Sequence, residues 1–217
     1  GPPVVSVMDP VEQLLSAIRR LEGERGRVLV AIDGRCASGK TTLAARLVER
    51  LGGGVVHMDD FFLRPEQRTP ERLARPGENV DWERFLAEVL LPLRQGGKVV
   101  YRPYDCRTQS MGDPITLERS AVVVVEGSYS CHPELWESYD LHVFLDVDPE
   151  EQLRRIRARN GAQGVQMFLD RWIPLEERYF QAFSIPQRCE LRFPAAEPAG
   201  TACDKQKRLI WKGARRQ

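Results

Sequence analysis

The sequence predicts a three-layer α/β domain with a mostly parallel central sheet. Three observations predict it. Short, mostly apolar runs at residues 28–32, 55–58, 121–125 and 141–145 have the character of strands covered on both faces. Stretches of helical period lie between them. The whole chain is 217 residues, enough for one sizeable core and short for two.

Taken in order, Asp9-Pro10-Val11-Glu12 predicts a helix start, with a capping carboxylate, Pro at the first helical position and Glu three residues after the cap. Val11, Leu14, Leu15, Ile18 and Leu21 make its apolar stripe. The run 28–32 is the first strand. Gly34-Arg35-Cys36-Ala37-Ser38-Gly39-Lys40-Thr41 then satisfies G-x-x-x-x-G-K-[ST], and Leu43, Ala44, Leu47, Val48 and Leu51 recur at helical spacing beyond it. A strand, this loop and a helix in succession form a polyphosphate site. Glycines let the amides of residues 34–42, Thr42 included, wrap the phosphates; Lys40 reaches the outer ones and the Thr41 hydroxyl can ligate Mg²⁺. Before residue 200 the only lysines are Lys40 and Lys98 in an Arg-rich chain, which fits a site needing a compact charge on a flexible stem.

Gly52-Gly53-Gly54 ends that helix and residues 55–58 form the second strand, with Asp59 and Asp60 at its carboxyl end, where open parallel sheets bind ligands. Residues 64–79, with three prolines and no sustained period, are expected to be a long functional loop. Asp81 caps a helix with Trp82, Phe85, Leu86, Val89, Leu90 and Leu93 facing the core. Residues 98–102 and 115–117 predict a hairpin, separated by a polar segment from Pro103 to Gln109. Residues 121–125 are the clearest central strand and end in Glu126; residues 141–146 are another. Asp148-Pro149 starts a helix running to about Arg159, Gly161 and Gly164 interrupt it, and Pro174 should bend or divide its continuation to Phe183. Residues 190–193 predict a last strand.

Lys and Arg number 32 against 31 Asp and Glu, a formal net charge of +1, so the balance argues for no nucleic-acid or membrane surface. A small-molecule partner is expected, and homo-oligomer formation is left open. Five cysteines without C-x-x-C spacing favour free thiols in a reducing cytosol, hence a cytoplasmic protein. Residues 1–8 are expected to be a tag remnant or disordered start, 9–194 the domain, and 195–217 a flexible basic tail.

The ordered set GRCASGKT, HMDDFF, ENVDWERF, YRPYDC and VVVVEGSY, followed by an Arg-rich helix, resembles the uridine kinase and phosphoribulokinase family of P-loop kinases, in its bacterial uridine-kinase-like branch. The resemblance spans about residues 28–193. It implies a P-loop NTPase fold with a small hairpin and an Arg-rich lid, ATP and Mg²⁺ as cofactors, and phosphoryl transfer to the 5′-OH of uridine or cytidine. It carries Asp59 over as the general base, with neighbouring Asp60 the fallback, and Asp81 as the acid on the ribose hydroxyls, a role compatible with helix capping. Glu126 is a candidate to orient Mg²⁺ through water, against the plainer roles of ending its strand or pairing with Lys40. Phe62, Tyr104 and Gln109 are candidates for the base pocket, an aromatic face plus an amide edge, with core packing the competing role. Arg155 and Arg159 share one helix face and are expected to screen the transferring phosphoryl group. Rival acceptors are pantothenate, a sugar phosphate and nicotinamide riboside. A signalling nucleotide switch is disfavoured by the lack of an N-K-x-D segment.

Overall fold

In a computed structural model the described residues are 9–197. Asp9 caps α1 (Pro10–Arg25), its carboxylate accepting from Val11 N at 2.8 Å. After β1 (Val28–Gly34) and the phosphate loop come α2 (Lys40–Leu51), β2 (Gly54–His57) and a 3₁₀ turn, Met58–Phe61. The expected long loop contains a 3₁₀ turn at Pro65–Gln67 and α3 (Pro70–Leu73), one helical turn capped by Thr69. The helix that Asp81 caps begins as α4 (Trp82–Phe85), opens into a π segment (Leu86–Leu90) and resumes as α5 (Leu91–Arg94).

The hairpin follows: β3 (Val99–Tyr101) pairs antiparallel with β6 (Ile115–Leu117), Val99 opposite Leu117. The polar segment between them folds into its own two-stranded ladder, β4 (Tyr104–Asp105) with β5 (Ser110–Met111). The chain closes with β7 (Val122–Glu126), β8 (Leu141–Leu145), α6 (Pro149–Met167), a second π segment (Phe168–Trp172), α7 (Ile173–Phe183), α8 (Ile185–Arg188) and β9 (Leu191–Phe193).

Five strands make one parallel sheet in the order β2-β7-β1-β8-β9. Alternation along β1 sorts its two faces. Val28, Val30 and Ile32 pack with Leu14, Leu15, Ile18, Leu43 and Leu47 on α1 and α2. Leu29 and Ala31 belong to the opposite core with Phe85, Val89, Tyr179 and Phe180. The three layers follow from that division.

Both π segments precede prolines. Pro92 and Pro174 would each drive a ring into the carbonyl four residues back, on Glu88 and Asp170, and both carbonyls lie inside the π segments. The helix thus widens at Pro174 where the sequence predicted a bend. Gly161 (φ 72°, ψ 178°) breaks α6 as expected, whereas Gly164 stays helical and buried. Its absent side chain lets it lie against Asn160, whose Cβ would be 2.3 Å from an added Cβ.

The domain does not stop at residue 194. Ala196 N donates to Ser38 O at 2.8 Å, so residues 195–197, assigned from sequence to a tail, run across the phosphate loop. The expectations for residues 1–8 and 198–217 lie outside the described residues.

Candidate active site

The phosphate loop leaves β1, the middle strand, and turns into α2 at its first residue, Lys40. Three loop positions have positive φ, Gly34 (155°), Ala37 (66°) and Gly39 (93°), and of these Ala37 is the strained one. At Gly39 the reason is close approach: an added Cβ would lie 2.7–2.8 Å from Ala196, so only glycine lets the loop pass beneath that segment. Lys40 is buried and Nζ donates to Gly34 O (3.1 Å) and Arg35 O (2.9 Å), which holds the ammonium across the mouth of its own loop. Arg35 turns away, pairing with Asp146 and with Glu177 at 2.8 Å.

Beside it, Thr41 Oγ1 donates to Glu126 Oε1 at 3.2 Å. Register explains the meeting, because Ile32 pairs with Glu126 and the loop begins two residues later. His57, opposite Glu126 on β2, brings Nδ1 to within 2.6 Å of the same oxygen. Among the described residues no three His, Cys, Asp or Glu side chains are grouped to hold a metal alone. A hydroxyl plus one carboxylate suits Mg²⁺, which keeps several waters and takes the rest of its shell from phosphates.

Two buried acids that the sequence reasoning missed tie this loop to its surroundings. Asp33 is wholly buried and accepts from Gly34 N (2.7 Å), Tyr129 N (3.2 Å), Cys131 N (3.1 Å) and Tyr179 Oη (2.7 Å). Burial pushes its carboxyl above the ordinary range, opposed by these hydrogen bonds and by Lys40. Through Asp33 the β7 loop, with Tyr129 at φ 77°, is held against the phosphate loop. Glu176 on α7, also buried, accepts from Cys36 N (2.9 Å) and Ser128 Oγ (2.7 Å). Desolvation raises its carboxyl too, and Lys40 opposes that. A signal for each was present: an acid at the carboxyl end of a buried strand, and an acid one turn from Trp172 and Tyr179 on an apolar helix face.

On the acceptor side, Asp59 and Asp60 share the 3₁₀ turn after β2. Asp59 is half-buried; Asp60 is buried, and its carbonyl accepts from Arg84 Nη2 at 2.9 Å. Asp81 does cap its helix, Oδ1 accepting from Arg84 N at 3.1 Å. Its buried Oδ2 makes no hydrogen bond, with Arg64 and Arg84 nitrogens at 3.7 and 3.8 Å. That leaves an acceptor for an incoming hydroxyl. Phe62 and Tyr104 cluster with Cys106, Met111 and Trp172. Next to them a cavity of about 20 Å³ is lined by Phe62, Asn79, Ser128, Tyr129, Phe168, Trp172 and Glu176, room for one water. Gln109 sits in the β4–β5 turn with φ 54°, outside that lining. A roomier depression, about 300 Å³ and edged by Arg25, Arg27 and Arg94, lies at the amino ends of β1 and β7, away from the phosphate loop.

Arg155 is engaged by backbone carbonyls. Its Nη1 donates to Ala37 O (3.0 Å) and Ala196 O (2.7 Å), and Nε to Glu151 (2.9 Å). Buried among carbonyls, it pins the loop to α6 and to the last segment and does not face open solvent over the phosphates. Arg159, one turn on, is half-buried.

A family model described as an AAA domain matches residues 30–166. Uridine-cytidine kinase 2-B of Danio rerio is 28% identical over 182 residues, 74% of this chain and 69% of that protein. A uridine kinase of Deinococcus deserti is 29% identical over 160 residues, 65% of this chain and 76% of that protein. Among solved structures, a possible uridine kinase from Bacillus stearothermophilus superposes with a TM-score of 0.66 at 23% identity, covering 84% of this chain and 96% of that one. At that identity the likeness speaks for the fold.

Proposed function

We propose a nucleoside kinase, on the premise that the chain belongs to the P-loop family described as an AAA domain and, within it, to the uridine-kinase-like kinases. It transfers the γ-phosphoryl group of ATP to a primary hydroxyl, the 5′-OH of uridine or cytidine. The observation that carries this is the delivery of Thr41, Glu126 and Asp59 to one edge by three adjacent strands, with Thr41 and Glu126 3.2 Å apart. Mg²⁺, when bound there, neutralises charge on the phosphates.

The chain's own groups do the rest. Loop amides and Lys40 hold the phosphates, and Glu126 with Thr41 orients the metal's water shell. Asp59 accepts the proton of the acceptor hydroxyl. Asp81 Oδ2 takes a sugar hydroxyl, and the aromatic walls of Phe62, Tyr104 and Trp172 stack on the base. Because the cavity has room for no more than one water, the walls must part to admit a nucleoside.

Purified protein with Mg-ATP and, in turn, uridine, cytidine, pantothenate, nicotinamide riboside and a sugar phosphate should yield ADP and a 5′-phosphate with the pyrimidine nucleosides. Lys40→Ala, folded by circular dichroism, should lose that turnover. Turnover confined to a non-nucleoside acceptor would replace the substrate; normal turnover by Lys40→Ala would remove the phosphate-loop mechanism.

A further inference from the structure

Glu176 lines the small cavity but takes no step in the mechanism above, and with Asp33 it is one of two buried carboxylates lodged against the phosphate loop. Its Oε1 takes the Cys36 amide at 2.9 Å, a donor of the kind that cradles phosphate, and its Oε2 takes Ser128 Oγ at 2.7 Å. The Ser128 hydroxyl also lies 3.3 Å from Gly34 O, one of the two carbonyls that hold Lys40. Neither bond needs a full charge, since a neutral amide could accept from Cys36 and donate to Ser128. What the charge adds is Coulombic. It offsets Lys40 and repels an incoming polyphosphate.

We propose that Glu176 is an intrinsic competitor of the phosphates for Lys40 and the loop amides, weakening the loop's hold on nucleotide so that product can leave. This rests on the kinase reading only in taking nucleotide as the loop's ligand.

The titratable and charged groups facing Glu176 come from several elements: Lys40 on α2, Asp33 at the end of β1 and the Tyr129 phenol after β7, with the Arg35–Glu177 pair beside it. Of these only Lys40 favours the charged form strongly, and burial opposes it. Acid therefore silences the competitor. Nucleotide affinity of the native protein should rise as pH falls through the raised carboxyl range of Glu176, and the Gln variant should lack that component.

The experiment is a calorimetric titration of Mg-ADP into the full chain and into Glu176→Gln, across the whole pH range in which both proteins stay folded. The difference between the two proteins cancels titration of the ligand itself. At the alkaline end the variant should bind about tenfold more tightly, with the advantage shrinking toward acid. Ser128→Ala, which keeps the charge and loses a hydrogen bond, should show no such tightening. Equal or weaker binding by a folded Glu176→Gln at the alkaline end overturns the inference, as does equal tightening by Ser128→Ala. Should Glu176→Gln not fold, protection of the native protein against thermal unfolding by sulfate, an anion fully charged throughout, must grow as pH is lowered; a flat response overturns it. Native protein that binds no nucleotide at any pH would instead remove the kinase reading itself.

Discussion

Asp59 and Asp60 are neighbours in sequence but not in surroundings. Asp60 is buried in its 3₁₀ turn and its backbone carbonyl is held by Arg84, whereas Asp59 keeps partial exposure beside the edge that carries Glu126. A base for an incoming hydroxyl has to meet the cleft, which favours Asp59. Asp59→Asn keeps shape and loses the ability to take the proton, so turnover should fall by about 10² to 10⁴ while ADP binding survives. Steady-state kinetics beside an ADP titration checks it; a parent-like rate, with Asp60→Asn inactive, would move the role to Asp60. Residues near the motif were legible because each role needs one chemical type at one offset from a strand end. Asp33 and Glu176 showed locally only as acids at a strand end and on an apolar helix face; what they hold was not legible, since their partners Tyr129, Cys131, Tyr179 and Cys36 are about 100 or more positions away and no local pattern encodes such a meeting. The carbonyl contacts of Arg155 were hidden for a related reason: a guanidinium on a helix face looks the same in sequence whether it meets phosphate or carbonyls.

At the scale of elements, the strands of the parallel sheet were readable from mostly apolar runs, and the site helices from caps and period. What escaped was the π widening before Pro92 and Pro174 and the ladder β4–β5, features set by packing and not by propensity. The break in α6 has a use. Gly161 stands at φ 72°, ψ 178°, a backbone region other residues reach only at a cost of about 1–3 kcal/mol, and no atom lies within 4 Å of where its Cβ would be. That exposed break is where a lid can hinge. Limited proteolysis at residues 161–164 should slow when Mg²⁺ and a non-hydrolysable ATP analogue are present. Equal cleavage with and without nucleotide would count against closure of this segment.

Across the whole molecule, the two buried acids give a signature in stability. A carboxyl whose folded pKa is raised contributes stability below its unfolded pKa and loses it as pH rises through the folded one. Asp33 and Glu176 are both raised by burial, so the unliganded fold should weaken as pH climbs out of the ordinary carboxyl range. Urea midpoints of the native protein and Glu176→Gln should agree in acid and diverge above it, the variant becoming the more stable. Native protein gaining on the variant as pH rises would mean that Lys40 and the hydrogen bonds outweigh burial.

The sheet order also fixes when the site can exist. β1 is made early in the chain, but its flanking strands are β7, about 95 positions later, and β8 beyond that, and the phosphate loop hangs from β1 between them. A nascent chain that has exposed the whole motif therefore still lacks the two walls that shape it, along with Asp33's partners Tyr129, Cys131 and Tyr179. Nonlocal pairing of this kind is slow to form. During refolding, ability to bind ADP should appear with the last, slowest phase and not with early helix formation, which makes nucleotide capture a timer for completion of the C-terminal half.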